Sequence, residues 1–278
     1  MTKDATTEIR PEADLHCHIL PAWDDGPRSL NESLEMASKA AASGIKKILV
    51  TPHVGRQLRN IKIPRSSEIA AATQKLQAEF SSAGIDIELI PAAELTMDSP
   101  DLPELLQAKP WLTIGAQGYY ALIESSHNRW PSYADRFMHK VSLSGVTPII
   151  AHPERYPEVQ KDIRVLQNVV EKGALVQLTA RSLVGGDDRR TKQCSVQLLK
   201  AGMVAIIASD AHSLKSVLPG DVVALVSSLV GEKNARRILE ENPRKILAGE
   251  PVYNPDLTLG QQGGALNWIK KLTGRSTR

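Results

Sequence analysis

The chain alternates short apolar runs with longer stretches of helical spacing, and that rhythm leaves few folds open to it. Seven strands are read, at Ala13 to Ile19, Lys46 to Val50, Asp86 to Ile90, Tyr119 to Ile123, Val146 to Ile150, Ala174 to Leu178 and Met203 to Ala208. Helices are read between them near Ser29 to Ser43, Arg65 to Ala83, Ser132 to Ser144, Lys161 to Lys172 and Arg189 to Ala201. In the first, Leu30, Leu34, Ala37, Ala41 and Ala42 recur along one helical face, and Gly44 stops it. Such an alternation predicts a mostly parallel α/β sheet, and a barrel is the natural way to close one of this size.

The runs end alike. Ile48-Leu49-Val50 leads into Thr51-Pro52-His53, Leu89-Ile90 into Pro91-Ala92-Ala93-Glu94, and Ala121-Leu122-Ile123 into Glu124. Pro148-Ile149-Ile150 leads into Ala151-His152-Pro153-Glu154-Arg155, and Ile206-Ile207-Ala208 into Ser209-Asp210-Ala211-His212. In the first strand, a period of two puts His16 and His18 on one face and Cys17 on the other. Each candidate ligand therefore follows the carboxyl end of a buried strand, the face on which α/β barrels build their sites. Five of the seven histidines belong to this set, while His127 and His139 are read as ordinary surface or packing residues.

Taken singly, His53 or His152 is as readily a hydrogen-bonded loop histidine, Glu94 a turn cap and Asp210 a helix N-cap. Taken together, imidazoles and carboxylates buried at one end are costly unless paired or metal-bound. The mixed nitrogen and oxygen set suits Mn, Fe or Zn better than calcium or a thiolate site.

With 278 residues, 42% of them hydrophobic and 23% charged, the chain can bury a sizeable core. We read one domain over residues 11–250 and a tail over 251–278, where Gly260 to Gly264 and the basic Lys270 to Arg278 suggest a frayed end. Leu257, Leu259, Leu266, Trp268, Ile269 and Leu272 leave docking of that tail equally open. A net charge of only +3, with Lys and Arg scattered, argues against a nucleic-acid footprint or a polybasic anchor. No apolar run has the length of a membrane span, and Met1 to Arg10 is polar where a signal peptide is apolar. The two cysteines make no disulfide framework, so a cytoplasmic location is expected.

The series His16-x-His18, His53, Glu94, Glu124, His152 and Asp210-x-His212 resembles the metal-binding signature of the PHP (polymerase and histidinol phosphatase) superfamily. That fold is a distorted (β/α)7 barrel with its metal site at the C-terminal ends of the strands. The segments DLHCHILPAWDDGPRSLNESLEMA, ILVTPH, PIIAHPERY and IIASDAH are similar to bacterial manganese-dependent protein-tyrosine phosphatases of polysaccharide-export operons, the CpsB and YwqE type. The resemblance runs from about Asp14 to Gly249.

It implies three divalent metals, manganese foremost, with Fe, Co or Zn as substitutes. One would be held by His16, His18, Glu94 and Asp210, a second by Glu94, Glu124 and His152, and a third by His53, His212 and Asp25. Asp25 also reads as a turn residue in Asp-Asp-Gly or as a proton-transfer group. Arg155 matches a position that contacts substrate phosphate. The implied partner is the phosphotyrosine tail of a membrane-associated tyrosine autokinase. Where the family usually carries an arginine beyond Asp-Ala-His, this chain has Val217, with Lys215 two positions earlier. Around Glu94 it reads Ala-Ala-Glu-Leu-Thr-Met, lacking the glycine before and the basic residue after that relatives more often have.

A cysteine-nucleophile phosphatase needs an arginine six positions beyond its thiolate, and from Cys17 that position is Trp23, from Cys194 Lys200. The thiol mechanism is thereby excluded. Two alternatives stay open: a PHP phosphoesterase acting on histidinol phosphate or another small ester, and a non-catalytic binding module braced by metals.

Overall fold

The structure, a computed structural model, describes residues 8–54, 66–97, 101–125, 128–218 and 220–253. Its strands are β1 (Ala13–Cys17), β2 (Lys47–Val50), β3 (His53–Val54), β4 (Glu88–Pro91), β5 (Glu94–Thr96), β6 (Tyr120–Glu124), β7 (Thr147–Ala151), β8 (Leu175–Thr179) and β9 (Ile206–Ala208). All pairings are parallel, in the orders β1-β2-β4 and β3-β5-β6-β7-β8-β9.

The two sheets are one barrel with two bent staves. β2 continues into β3 through Thr51 and Pro52, and β4 into β5 through Ala92 and Ala93. Proline removes a ladder donor at the bend, and the bonds Ala92 N to Val50 O (3.0 Å) and Glu94 N to Pro52 O (3.1 Å) carry the register across it. The ring closes where Asp210 N donates to His16 O (2.8 Å) and His18 N to Ala211 O (2.9 Å). Among the described residues the nine strands thus occupy the seven positions that the sequence predicts.

Alternation along each strand sorts side chains between two cores. Ile48, Val50, Ala121, Ile123, Ile150, Val176, Leu178 and Ile207 face outward under the helices. Ala13, Leu15, Leu49, Tyr120, Leu122, Ile149, Leu175 and Ile206 form a separate apolar cluster that plugs the barrel from below, closed by Ile246 and Val252. Above the plug the inward positions turn polar.

The helix Leu30–Ala42 begins where Ser29 caps the Glu32 amide and Glu32 reaches back to the Arg28 amide, and it buries Ser33, Met36, Ala37 and Ala40. The helix expected over 161–172 is instead broken. Pro157–Lys161, a 3₁₀ turn Ile163–Leu166 and Gln167–Glu171 succeed one another, because Asp162 is extended and its carboxylate caps the Arg164 amide at 3.0 Å. Short helices Val222–Val230, Glu232–Arg236 and Asn242–Leu247 follow the last strand. No helix of the described residues is long and apolar enough to cross a membrane. His139 is exposed on the helix Ala134–Leu143, whereas His127 and residues 254–278 of the tail lie outside the described residues.

Candidate metal centre

The first strand does not keep its period of two. Ala13 and Leu15 belong to the plug, which would turn His16 outward, but the register with β2 slips between Asp14 and Cys17. Such an irregularity re-aims the side chains beyond it. His16 and His18 then both face the mouth with Nε2 atoms 3.2 Å apart, and Cys17 packs in the outer core. Asp14 holds the slip in place: its buried Oδ1 accepts from Ser209 N at 2.9 Å, tying β1 to the end of β9.

Two further ligand candidates sit in the left-handed region, His152 with φ 34° and Asp210 with φ 51°. Such backbone costs roughly 1–3 kcal/mol at a residue with a Cβ and concentrates at functional sites. Here it turns the chain sharply after β7 and β9, so that both side chains point back over the barrel. The Asp24-Asp25-Gly26 turn is fixed by close approach, since a Cβ at Gly26 would stand 2.3 Å from the His18 carbonyl oxygen.

Glu94, wholly buried, is the hub. Its Oε2 lies 3.4 Å from His16 Nε2, 3.3 Å from His18 Nε2 and 2.9 Å from His53 Nδ1, and its Oε1 lies 2.8 Å from His152 Nε2. Asp210 Oδ1 lies 3.2 Å from His16 Nε2 and 3.5 Å from His18 Nε2. His53 Nδ1 is 3.1 Å from Glu124 Oε1, and Asp25 Oδ1 is 3.3 Å from His53 Nε2 and 3.2 Å from His212 Nε2. Arg155 Nη1 donates to Asp210 Oδ2 at 2.6 Å.

All ten residues singled out in the sequence therefore meet at one mouth; of the groups the resemblance implies, His16, His18 and Asp210 recur together, as do Asp25, His53 and His212, whereas Glu94, Glu124 and His152 are divided between two sets. Donor atoms gather as His16, His18 and Asp210; His53, Glu94 and Glu124; His16, Glu94 and His152; and His18, Asp25, His53 and His212. His53 joins Glu94 and Glu124 because β3 pairs with β5 so that His53 and Glu94 are register partners. His152 arrives from β7 on the other side and meets the second oxygen of Glu94.

The electrostatics are those of imidazoles and carboxylates packed against one another, buried at the base of the mouth and partly exposed at Asp25 and His212. Burial opposes protonation of His18, but Asp210, Asp24 and Glu94 outweigh it and hold its pKa well above the usual value. Burial likewise opposes His16 and His53, yet Glu94 and Asp210 raise the first, and Glu124 and Glu94 push the second to about 9. Burial favours neutral Glu94 and Asp210, but His16 foremost keeps both well below the carboxylate range. His212 goes the other way, lowered by burial and by the charge on His18.

A cation fits these donors. Glu94 Oε2 and Asp210 Oδ1 are buried and accept no hydrogen bond in spite of the nitrogens around them, a costly arrangement in an ordinary core. Donors 3.2–3.5 Å apart are spaced as ligands of one ion with bonds of about 2.0–2.2 Å.

Two residues of the site are not apparent from the sequence. Asp24 Oδ2 accepts from His18 Nδ1 at 2.9 Å and from the His53 amide at 3.1 Å, and its carboxyl is drawn down to about 2 against burial, chiefly by His18. Gln177 Oε1 meets His16 Nδ1 at 3.0 Å. A glutamine in the middle of the buried run Leu175-Val176-Gln177-Leu178-Thr179 was the available signal. Val217 packs in the outer core, and the turn before it is pinned by Ser216 Oγ, which accepts from the His212 and Ser213 amides. No arginine therefore faces the site from that turn, and Lys215 is exposed beside it.

Barrel and mouth together define a parallel α/β barrel with a candidate metal centre. The chain belongs to the family described as capsular polysaccharide synthesis, CpsB/CapC, whose model matches residues 12–248. It is 34% identical over 203 residues to the tyrosine-protein phosphatase YwqE of Bacillus subtilis (strain 168), covering 73% of this chain and 78% of that protein. A solved structure from work on YwqE of Bacillus subtilis and CpsB of Streptococcus pneumoniae, described as unique metal-dependent tyrosine phosphatases, superposes with a TM-score of 0.78 at 30% identity, over 87% of this chain and 96% of that one. The phosphotriesterase homology protein of Escherichia coli shares only the fold, with a TM-score of 0.57 at 10% identity over 86% of this chain and 99% of that one.

Proposed function

We propose that this protein is a metal-dependent protein-tyrosine phosphatase acting on a bacterial tyrosine kinase of polysaccharide synthesis, on the cytoplasmic face of the membrane. The observation that carries it is the convergence of four histidines on Glu94, at 2.8–3.4 Å, in a chain whose relatives are tyrosine phosphatases. The catalytic unit is residues 11–250. Its metals, three in number and manganese foremost, would be held by His16, His18, Asp25, His53, Glu94, Glu124, His152, Asp210 and His212. When bound, such cations acidify water and neutralise charge developing on phosphoryl oxygens.

The chain's own groups supply the rest. Arg155 is partly exposed at the rim. Burial opposes its charge, but Asp210 and Glu154 more than restore it, so it stays a cation at any working pH. It offers a planar fork to a phosphoryl group arriving beside Asp210. Glu154 anchors the turn that carries it by accepting from the Thr179 amide at 2.9 Å. Phenolate is a good leaving group, with a pKa of about 10, so the ester of tyrosine needs less help from a general acid than an alkyl ester does.

The test is hydrolysis of a phosphotyrosine peptide by the full chain with manganese, beside a chelator control, His16→Ala and histidinol phosphate as competing substrate. Turnover of the peptide that is lost in both controls is the expected result. Turnover of histidinol phosphate alone would replace this reading with a small-ester phosphatase, and no turnover by metal-loaded protein would replace it with a binding module.

A further inference from the structure

β8 supplies none of the donor atoms that gather at the mouth, although its neighbours β7 and β9 lead directly into His152 and Asp210. Its inward positions are nonetheless polar above the plug: Leu175 belongs to the plug, and two and four residues on stand Gln177 and Thr179, both buried. A buried glutamine costs free energy unless its amide is used. One end is used, since Oε1 meets His16 Nδ1 at 3.0 Å, and both residues are wholly inaccessible to water.

An amide oxygen only accepts. The hydrogen of a neutral His16 therefore sits on Nδ1, which leaves the lone pair of Nε2 directed at Glu94 and Asp210, where a metal would replace the second proton of the imidazolium. The other member of the pair, His18, has the same arrangement with a carboxylate, as Asp24 accepts from its Nδ1. The two imidazoles of the first strand are thus held from behind by residues outside the donor set, one by a charged acceptor and one by a neutral acceptor.

We infer that Gln177 is a positioning residue, which fixes the tautomer and ring orientation of His16 and so pre-forms the metal site at the base of the mouth. The inference rests on the reading of the mouth as a metal centre. Partners of this kind typically change metal affinity about 10–100-fold when removed. Gln177 acts through His16 and touches no substrate. A neutral partner also leaves His16 less electron-rich than His18, so the two histidines would hold one ion unequally.

The experiment measures manganese binding to the full-length protein by competition with a chromophoric chelator. It compares wild type, Gln177→Leu, Gln177→Glu and Leu175→Ala. Gln177→Leu keeps bulk and removes the acceptor, and it is expected to bind manganese about 10–100-fold more weakly. Gln177→Glu keeps an acceptor at the same reach and restores binding. Leu175→Ala, one inward position below, loses stability in thermal unfolding but keeps its affinity. In the diamagnetic zinc form, the His16 Nδ1 proton is slow to exchange in wild type and Gln177→Glu, and fast in Gln177→Leu. Equal manganese affinity in wild type and a folded Gln177→Leu overturns the inference and leaves the metal centre standing. So does equal weakening in Leu175→Ala, which would mark a general loosening of the barrel. A wild type that binds no manganese or zinc overturns the metal centre itself.

Discussion

Leu122 and Glu94 are register partners across the ladder between β5 and β6, and both are buried, yet they belong to two different regions of one barrel interior. Leu122 is part of the plug, where it packs in an apolar cluster and burial of its own side chain is stabilising. Glu94 stands in the mouth, where burial is unfavourable for each group singly and is offset only by the groups opposite. The same strands build both, one inward position apart. The lower layer is held by apolar burial, whereas the upper one keeps charges, left-handed turns and unbonded oxygens.

The sharpest test of that division is Glu94→Gln. Removing the hub should lower phosphotyrosine hydrolysis by about a thousand-fold or more, in line with loss of metal-assisted catalysis. Added manganese is expected to raise the melting temperature of wild type in thermal unfolding, and Glu94→Gln should abolish that rise. Leu122→Ala should do the opposite, losing about 2–5 kcal/mol of unfolding free energy in denaturant titration while the folded fraction keeps its KM. If the two variants failed alike, plug and mouth would be one cooperative unit.

A smaller effect comes from pH. In the metal-free protein the folded pKa of His53 is raised to about 9 from 6.5, and His16 and His18 are also raised. A raised pKa gives stability that is fully present below the unfolded value and is lost as pH climbs through the folded one. Metal-free protein should therefore melt at progressively lower temperature between pH 6.5 and 9, read by calorimetry. Manganese competes with those protons and should bind more tightly over the same interval. The plug's titratable side chain, Tyr120, is raised above the usual tyrosine value by burial, so it stays neutral over this interval and should not contribute to either trend.

The smallest effect is expected from thiol alkylation. Cys17 and Cys194 are both buried; burial raises the first well above the thiol range and the second to about 12. Activity should change by less than about two-fold under conditions that label exposed thiols.

Much of the mouth was legible because it is written locally. A β-run ending in His, Glu or Asp declares both its strand and its ligand, and His16, His53, Glu94, Glu124, His152 and Asp210 all follow that rule. What stayed hidden depends on distant partners or on a break in period. Gln177 is 161 residues from the histidine it holds. The bends at Thr51-Pro52 and Ala92-Ala93 read as strand ends although pairing resumes beyond them. A side-chain cap at Asp162 overrode the helical spacing from 161 to 172. The grouping of the donors followed from strand adjacency, which spacing along the chain does not encode.

The bond from Ser209 to Asp14 joins residues 195 apart in the chain. During synthesis the first strand leaves the ribosome without the neighbour that fixes its register, and about two hundred residues must follow before that neighbour exists. Contacts of such long separation form late and slowly. His16 and His18 are then the earliest ligands made and among the last to be placed, so metal capture belongs to the finished chain, and a nascent chain stalled before Ser209 would present an open, unclosed sheet edge to the quality-control machinery of the cell.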